Sequence, residues 1–254
     1  GVPETMLQTL YARAKESAGR CAIYDRKAEE LVGRLDYDFS LADRDFAMHN
    51  GVIARTVVLD RLTKAWLERN SGAAVVNIAC GLDTRCYRMS GYSHWYNLDL
   101  PETIAVRRRF LPETGRVSMI AKSAMDETWA GDIEETESAT LIVMEGLVMY
   151  LTEADVKQIL SILDRRFRSA KVIMETMNPW IVKHMKEKSI EATKAKFTWG
   201  IQSGKDLKPL APGFVWVRDV SLVEGMKVIY PAYRLLGQIP AVRNISNKLV
   251  LLEK

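Results

Sequence analysis

Gly81, Asp99, Arg55 and Glu145 set the chemistry open to this chain. Gly81 lies in Ala79-Cys80-Gly81-Leu82-Asp83, directly after the apolar run Ala74-Val75-Val76-Asn77-Ile78. Asp99 closes a second run, His94-Trp95-Tyr96-Asn97-Leu98. A strand, a glycine turn, a short helix and a second strand that delivers an acid about twenty residues on make one nucleoside-binding βαβ half, with the acid placed for a ribose diol. A dinucleotide fits poorly, because a pyrophosphate needs N–H groups from two or three close glycines at a helix start, and Ala79, Asp83 and Thr84 leave only one.

S-adenosylmethionine asks for a different set: a carboxylate for the ribose, an apolar slot for adenine and a partner for its own carboxylate, with no anion nest. Arg55 supplies a partner, because it shares a helical stripe with Val58, Leu62 and Ala65 and so points inward, where a guanidinium needs an anion. The alternatives are a structural ion pair for Arg55 and a helix cap for Asp99, which stands just before Pro101. Glu145 interrupts the apolar segment from Leu141 to Leu151, and such an acid must be paired or sit at a wet rim. Gly146 behind it permits a tight turn. No catalytic residue is assigned: His94 opens a strand, and His49 and His184 stand alone in polar context.

These residues need a scaffold. The expected strands are Val75 to Ile78, Trp95 to Leu98, Val117 to Ala121, Leu141 to Met144 and Lys171 to Met174, alternating with helices that include Glu102 to Leu111 and Glu153 to Phe167. That alternation predicts an α/β, parallel, doubly wound sheet. Ligands bind outside the carboxyl ends of such strands, so Gly81, Asp99, Ser123 and Glu145 are expected at one rim. Residues 1–70 read as a helical cap segment, with Leu7, Leu10, Tyr11 and Ala14 on one stripe and a long helix from about Gly51 to Arg69. Residues 71–254 read as the core, with a charged helical insertion at about 178–210 carrying Lys183, Lys186, Glu187, Lys188, Glu191 and Lys194. Phe214 to Val217 and Leu249 to Leu252 read as antiparallel edge strands. Asn178-Pro179-Trp180 resembles an amino-group methyltransferase signature, but it follows the fifth strand where that signature follows the fourth, and it is taken as chance.

Composition narrows the partners. With 254 residues and 48% hydrophobic content, the chain can bury one full α/β core with an elaboration. A net charge of +4 over 36 basic and 32 acidic residues is too small a footprint for nucleic acid. Arg107-Arg108-Arg109 reads as solvated helix cations. The three cysteines and three histidines show no metal-ligand spacing, which predicts no metal and no disulfide framework, and a reducing cytoplasm is the expected setting. Neither an export signal nor a membrane span is expected.

At this point the chain resembles the leucine carboxyl methyltransferase family, and within it the small-molecule branch of polyketide O-methyltransferases. The matching pieces, in order, are Leu10-Tyr11-Ala12-Arg13-Ala14, Ala54-Arg55-Thr56, Gly81-Leu82-Asp83-Thr84-Arg85 with Arg88, Asn97-Leu98-Asp99-Leu100-Pro101-Glu102, Ser123-Ala124-Met125-Asp126 with Trp129, and Glu145-Gly146-Leu147-Val148-Met149-Tyr150-Leu151. The resemblance implies a class I (Rossmann-like) fold and S-adenosyl-L-methionine as cofactor. Arg55 would meet the methionine carboxylate, Ala79 and Gly81 would pass the amino-acid end, and Asp99 with Leu100 would take the ribose. Ser123 and Ala124 would flank the adenine, with Glu145 by the methionine amino group. Ala79 departs from the family, which usually has glycine there.

The expected reaction is O-methyl transfer to a carboxylate of a small, polyketide-like acid, which is already ionised near pH 7 and needs no general base. Tyr11, Arg13 and Tyr150, with Trp180, Phe197 and Trp199, are candidates for the acceptor pocket or its lid. The alternatives are a phenol or hydroxyl acceptor, a nicotinamide oxidoreductase on a related sheet, or a binding protein that has lost turnover.

Overall fold

Strands β1 (Val75–Ile78), β2 (Trp95–Asp99), β3 (Val117–Ala121), β4 (Thr140–Met144) and β5 (Ala170–Thr176) pair in parallel. Strands β6 (Val215–Ser221) and β7 (Lys248–Glu253) join them antiparallel, in the order β3-β2-β1-β4-β5-β7-β6. This is a computed structural model, and it describes residues 4–134, 139–185 and 196–254. β1, β4 and β5 are buried along their whole length, as near-continuous apolar strands covered on both faces must be. Alternation sorts the side chains. Val76, Ile78, Ile142, Met144 and Val172 face one helical layer; Val75, Trp95, Leu141, Val143 and Ile173 face the other.

Helix α4 (Phe46–Arg69) packs Val58, Leu59, Trp66 and Leu67 on the second face. It starts five residues before the expected Gly51 because Asp45 caps it, accepting from the Met48 N–H. Before it come α1 (Glu4–Ala18), α2 (Arg26–Val32) and α3 (Ser40–Arg44). After it come α5 (Arg85–Arg88) and α6 (Pro101–Phe110), the latter opened by Pro101 in its first turn. Helix α7 (Glu153–Arg166) covers the first face with Val156, Ile159, Leu160 and Leu163, and Thr152 and Asp155 form a reciprocal capping box at its start.

Helices α1, α2 and α6 meet above β1, with Met6, Leu10, Leu31 and Ile104 packed on Cys80 and Leu82. Two expectations are corrected. Leu249 to Leu252 is no edge strand: β7 lies between β5 and β6, and its unbroken apolar run is the signature of an interior strand. Of the two antiparallel strands it is β6 that lies at the edge, with Arg218 and Asp219 interrupting it. Arg107 is no solvated cation but fully buried. The expected insertion begins with α8 (Pro179–Met185); residues 186–195, including Lys186, Glu187, Lys188, Glu191 and Lys194, lie outside the described residues. The connection from β6 to β7 carries α9 (Val223–Ile229), α10 (Tyr233–Leu236) and α11 (Pro240–Ile245).

Candidate functional site

Parallel pairing brings the candidate residues to one height. Ile78 is level with Leu98 and Met144, Leu98 with Ile120, and Met144 with Met174. Ala79, Asp99, Ala121, Glu145 and Glu175 therefore stand at one level along the carboxyl rim of the sheet.

The turn after β1 is tightly held. Gly81 has φ +46°, a backbone region that favours glycine, and a Cβ there would meet the Met6 side chain at 3.2 Å. Ala79 is also left-handed, at φ +57°, although it has a Cβ. Asp99 Oδ2 accepts from the Gly81 N–H at 2.8 Å, and Asp99 Oδ1 accepts from its neighbour's N–H on Leu100 at 2.7 Å. Burial pushes the Asp99 carboxyl above the usual carboxylate range, against the pull of those two N–H groups. From behind, Arg107 Nη1 donates to the Gly81 carbonyl at 3.0 Å. That buried arginine was hidden in a run of three.

Arg55 points inward as its helical position predicts, into two carboxylates. Its Nε lies 2.6 Å from Glu145 Oε1 and its Nη1 donates to Glu175 Oε2 at 3.0 Å. Glu145 also accepts from Arg85 Nη1 at 2.6 Å, so it is paired as well as at the rim. Burial alone would raise the Glu145 carboxyl, but the Arg55 and Arg85 guanidiniums outweigh it and hold it below the usual range. Behind these groups Arg85 reaches Asp60 and Asp83, Arg88 reaches Asp60 and Asp25, and Arg13 pairs with Asp25. Glu175 escaped the sequence reading because β5 runs two residues past Met174. Its signal was present, since Met174-Glu175 repeats the apolar-to-acid step of Met144-Glu145.

Two cavities open at this rim. The smaller, of about 250 Å³, is lined by Ala79, Gly81, Asp99, Leu100 and Glu145, and roofed by Thr5, Met6 and Thr9 of α1. The larger, of about 750 Å³, is apolar and aromatic, with Met149, Met177, Phe197, Met226, Tyr230 and Tyr233 among its lining. Arg55, Gly146 and Tyr150 line both, as do Thr5 and Thr9. Gly146 turns sharply here with φ +64°. Burial, with the Glu175 charge, holds the Tyr150 phenol above its usual range, so it stays a neutral donor.

Other expectations are redirected. Ser123 and Ala124 follow β3 on the same rim but line neither cavity: Ser123 folds its turn by accepting from Met125 and Asp126 N–H groups, and the Ala124 carbonyl accepts from Trp129 Nε1. Tyr11 faces away, stacked on Phe39 and donating to Asp43. Arg13 borders the smaller cavity, but its guanidinium is spent on Asp25 and the Leu82 carbonyl. Trp199 is core, 8% exposed, and Trp180 stacks on His184 outside both cavities. Phe197 and Tyr150 pack together in the larger one. His94 lies on Ser118 and Tyr96, and His49 on Glu16, so no histidine lines either cavity. The far wall of the larger cavity comes from residues 222–247, and from the described residues of the expected insertion Phe197 joins it. No helix among the described residues is long and apolar enough to cross a membrane.

Residues 6–164 match the family described as Leucine carboxyl methyltransferase. The chain is similar to the tetracenomycin polyketide synthesis O-methyltransferase TcmP of Streptomyces glaucescens, at 35% identity over 231 residues covering 88% of this chain and 84% of that protein. It is also similar to the S-adenosyl-L-methionine-dependent methyltransferase dpfgK of Gibberella zeae, at 28% identity, covering 84% of this chain and 80% of that one. Among solved structures, a protein of Thermobifida fusca YX described as a methyltransferase superimposes with a TM-score of 0.63, covering 96% of this chain and 94% of its own; at 11% identity that is a likeness of fold.

Proposed function

Because the chain belongs to the leucine carboxyl methyltransferase family and carries a class I, Rossmann-like methyltransferase sheet, we propose that it is an S-adenosylmethionine-dependent O-methyltransferase acting on the carboxylate of an apolar, polyketide-like small molecule. The observation that carries this reading is the pair of cavities sharing Arg55, Gly146 and Tyr150 as one wall. The smaller cavity fits the cofactor by its donor set: an acid for a diol in Asp99, a left-handed glycine cradle in Gly81, an apolar flank in Met6 and Leu100, and a cation in Arg55. The larger fits a flat apolar acceptor, being within the usual size of small-molecule pockets.

When bound, S-adenosylmethionine supplies an electrophilic methyl group. Asp99 keeps lone pairs for the two ribose hydroxyls while its other contacts fix the Gly81 turn. Arg55 holds the carboxylate end, Glu145 receives the ammonium, and Met6 and Thr9 of α1 exclude water from above. Tyr150 stands at the boundary as a neutral hydrogen-bond donor for the acceptor oxygen. A carboxylate acceptor is ionised near neutral pH, so catalysis rests on alignment, a contribution that reaches roughly 7–11 kcal/mol.

One observation favours a second reading. Glu175 is a buried carboxylate in the wall of the larger cavity, where it would accept the proton of a phenolic acceptor. Incubating the protein with methyl-labelled cofactor and a panel of aromatic acids and phenols, followed by mass spectrometry, tests both. Label released by mild alkali marks an ester and supports the carboxylate reading, alkali-stable label marks an ether, and no transfer to any member counts against both.

A further inference from the structure

Glu175 has a place in the structure that its partners alone do not explain. It is 2% exposed, and its Oε2 accepts from Arg55 Nη1 and from the Gly146 N–H at 2.9 Å, while Oε1 accepts from Asn247 Nδ2 at 3.3 Å. It lines the acceptor cavity but not the cofactor cavity; Glu145 does the reverse. A methyl group that passes between the two cavities must start at their shared wall, where Arg55 is the charged side chain, paired with Glu145 on the cofactor side and with Glu175 on the acceptor side. The ion-pair network that runs from Arg13 to Glu175 joins four arginines to five carboxylates, so it carries one negative charge without a guanidinium.

Resting on the function proposed above, we infer that Glu175 is a specificity-determining carboxylate that matches the positive sulfonium of the methyl donor and thereby separates donor from spent product. S-adenosylmethionine, with sulfonium, ammonium and carboxylate, has a net positive charge; S-adenosylhomocysteine, a neutral thioether with the same two end groups, has none. The donor neutralises the network's surplus charge. The product leaves it uncompensated, in a region sheltered from water where charge interactions are stronger than in bulk. Loss of the methyl group thus weakens the hold on the cofactor as soon as transfer is complete.

The test is a calorimetric titration of S-adenosylmethionine and S-adenosylhomocysteine into the wild type, Glu175→Gln and Glu175→Asp. The amide of Glu175→Gln keeps one oxygen to accept from the Gly146 N–H and turns its NH2 towards Asn247, whose own amide can flip to accept from it, but it lacks the charge. It is expected to lower the donor-to-product affinity ratio about tenfold, chiefly through the donor, whereas Glu175→Asp keeps most of the ratio. Equal weakening of both ligands in Glu175→Gln would make the residue a mere support for Arg55 and overturn the inference, as would an unchanged ratio. A measurement needing no variant is competition in the wild type between an adenosyl analogue bearing a protonated amine in place of the sulfonium and its uncharged methylene isostere. A preference of about tenfold for the amine is expected, and equal affinity overturns the proposal. Failure of the wild type to bind either natural ligand is a different result, which removes the function reading itself.

Discussion

Asp99 serves two purposes with one carboxylate. Its contacts to the Gly81 and Leu100 N–H groups set the turn after β1, and its remaining lone pairs face the smaller cavity. Hydrogen bonds to a charged group contribute roughly 1.5–3 kcal/mol, so Asp99→Ala is expected to weaken S-adenosylmethionine binding by one to two orders of magnitude in calorimetry. Unchanged affinity would take Asp99 out of the site. At Ala79 the left-handed backbone costs about 1–2 kcal/mol for a residue with a Cβ, partly offset in a glycine by the entropy it loses on folding. Ala79→Gly is therefore expected to raise stability by up to about 1 kcal/mol in urea unfolding, with cofactor affinity retained. Arg55 and Glu145 were legible in the sequence because a charge inside an apolar stripe demands a partner. Glu175 was not, because the strand holding it ended two residues early in the reading. Arg107 was masked by Arg108 and Arg109, which are exposed on the same helix.

Helix α9 shows how an element can depend on one missing methyl. A Cβ on Gly225 would meet the Ala54 carbonyl carbon at 2.6 Å, so α9 lies backbone against backbone on α4, one residue from Arg55. Gly225→Ala is expected to push the two helices apart and destabilise the protein by about 1–3 kcal/mol, as overpacking does. Because Val223 and Met226 line only the larger cavity, the KM for the acceptor should rise while donor affinity stays. Parallel loss of both affinities would show that the α4–α9 contact supports the whole rim. Elements defined by local chemistry were readable in advance: Pro101 at the start of α6, the Thr152 and Asp155 box of α7, and the Gly81 turn between β1 and β2. Those defined by distant contacts were not. Nothing around Tyr11 announces Phe39 and Asp43 as its partners, and nothing around Ser123 shows that its turn closes on itself beside the cavity.

The response to acid belongs to the whole molecule. Glu16, almost wholly buried on α1, accepts from Arg20, His49 Nε2 and the Ala22 N–H. These contacts outweigh burial, which acts the other way, and hold its carboxyl at about 2 instead of 4.5. A depressed acid stabilises the fold fully above its unfolded value and loses that effect as pH falls from about 4.5 towards 2, a difference of about 3 kcal/mol. In urea unfolding the wild type should exceed Glu16→Gln by about that amount at pH 6 and by much less at pH 3; a gap that ignores pH would exclude this mechanism. Much of the sheet could be written down from the alternation of apolar runs. The interior place of β7 rests on its pairing with both β5 and β6, and the far acceptor wall on the meeting of residue 54 with residue 225. That division has a genealogical consequence. All the side chains around the smaller cavity are encoded before Leu151, and the far wall of the larger only from Leu222 onward. A recombination event between those points would inherit the donor machinery whole while exchanging the guest it decorates, so a lineage built this way can diversify its products without relearning how to hold the methyl source.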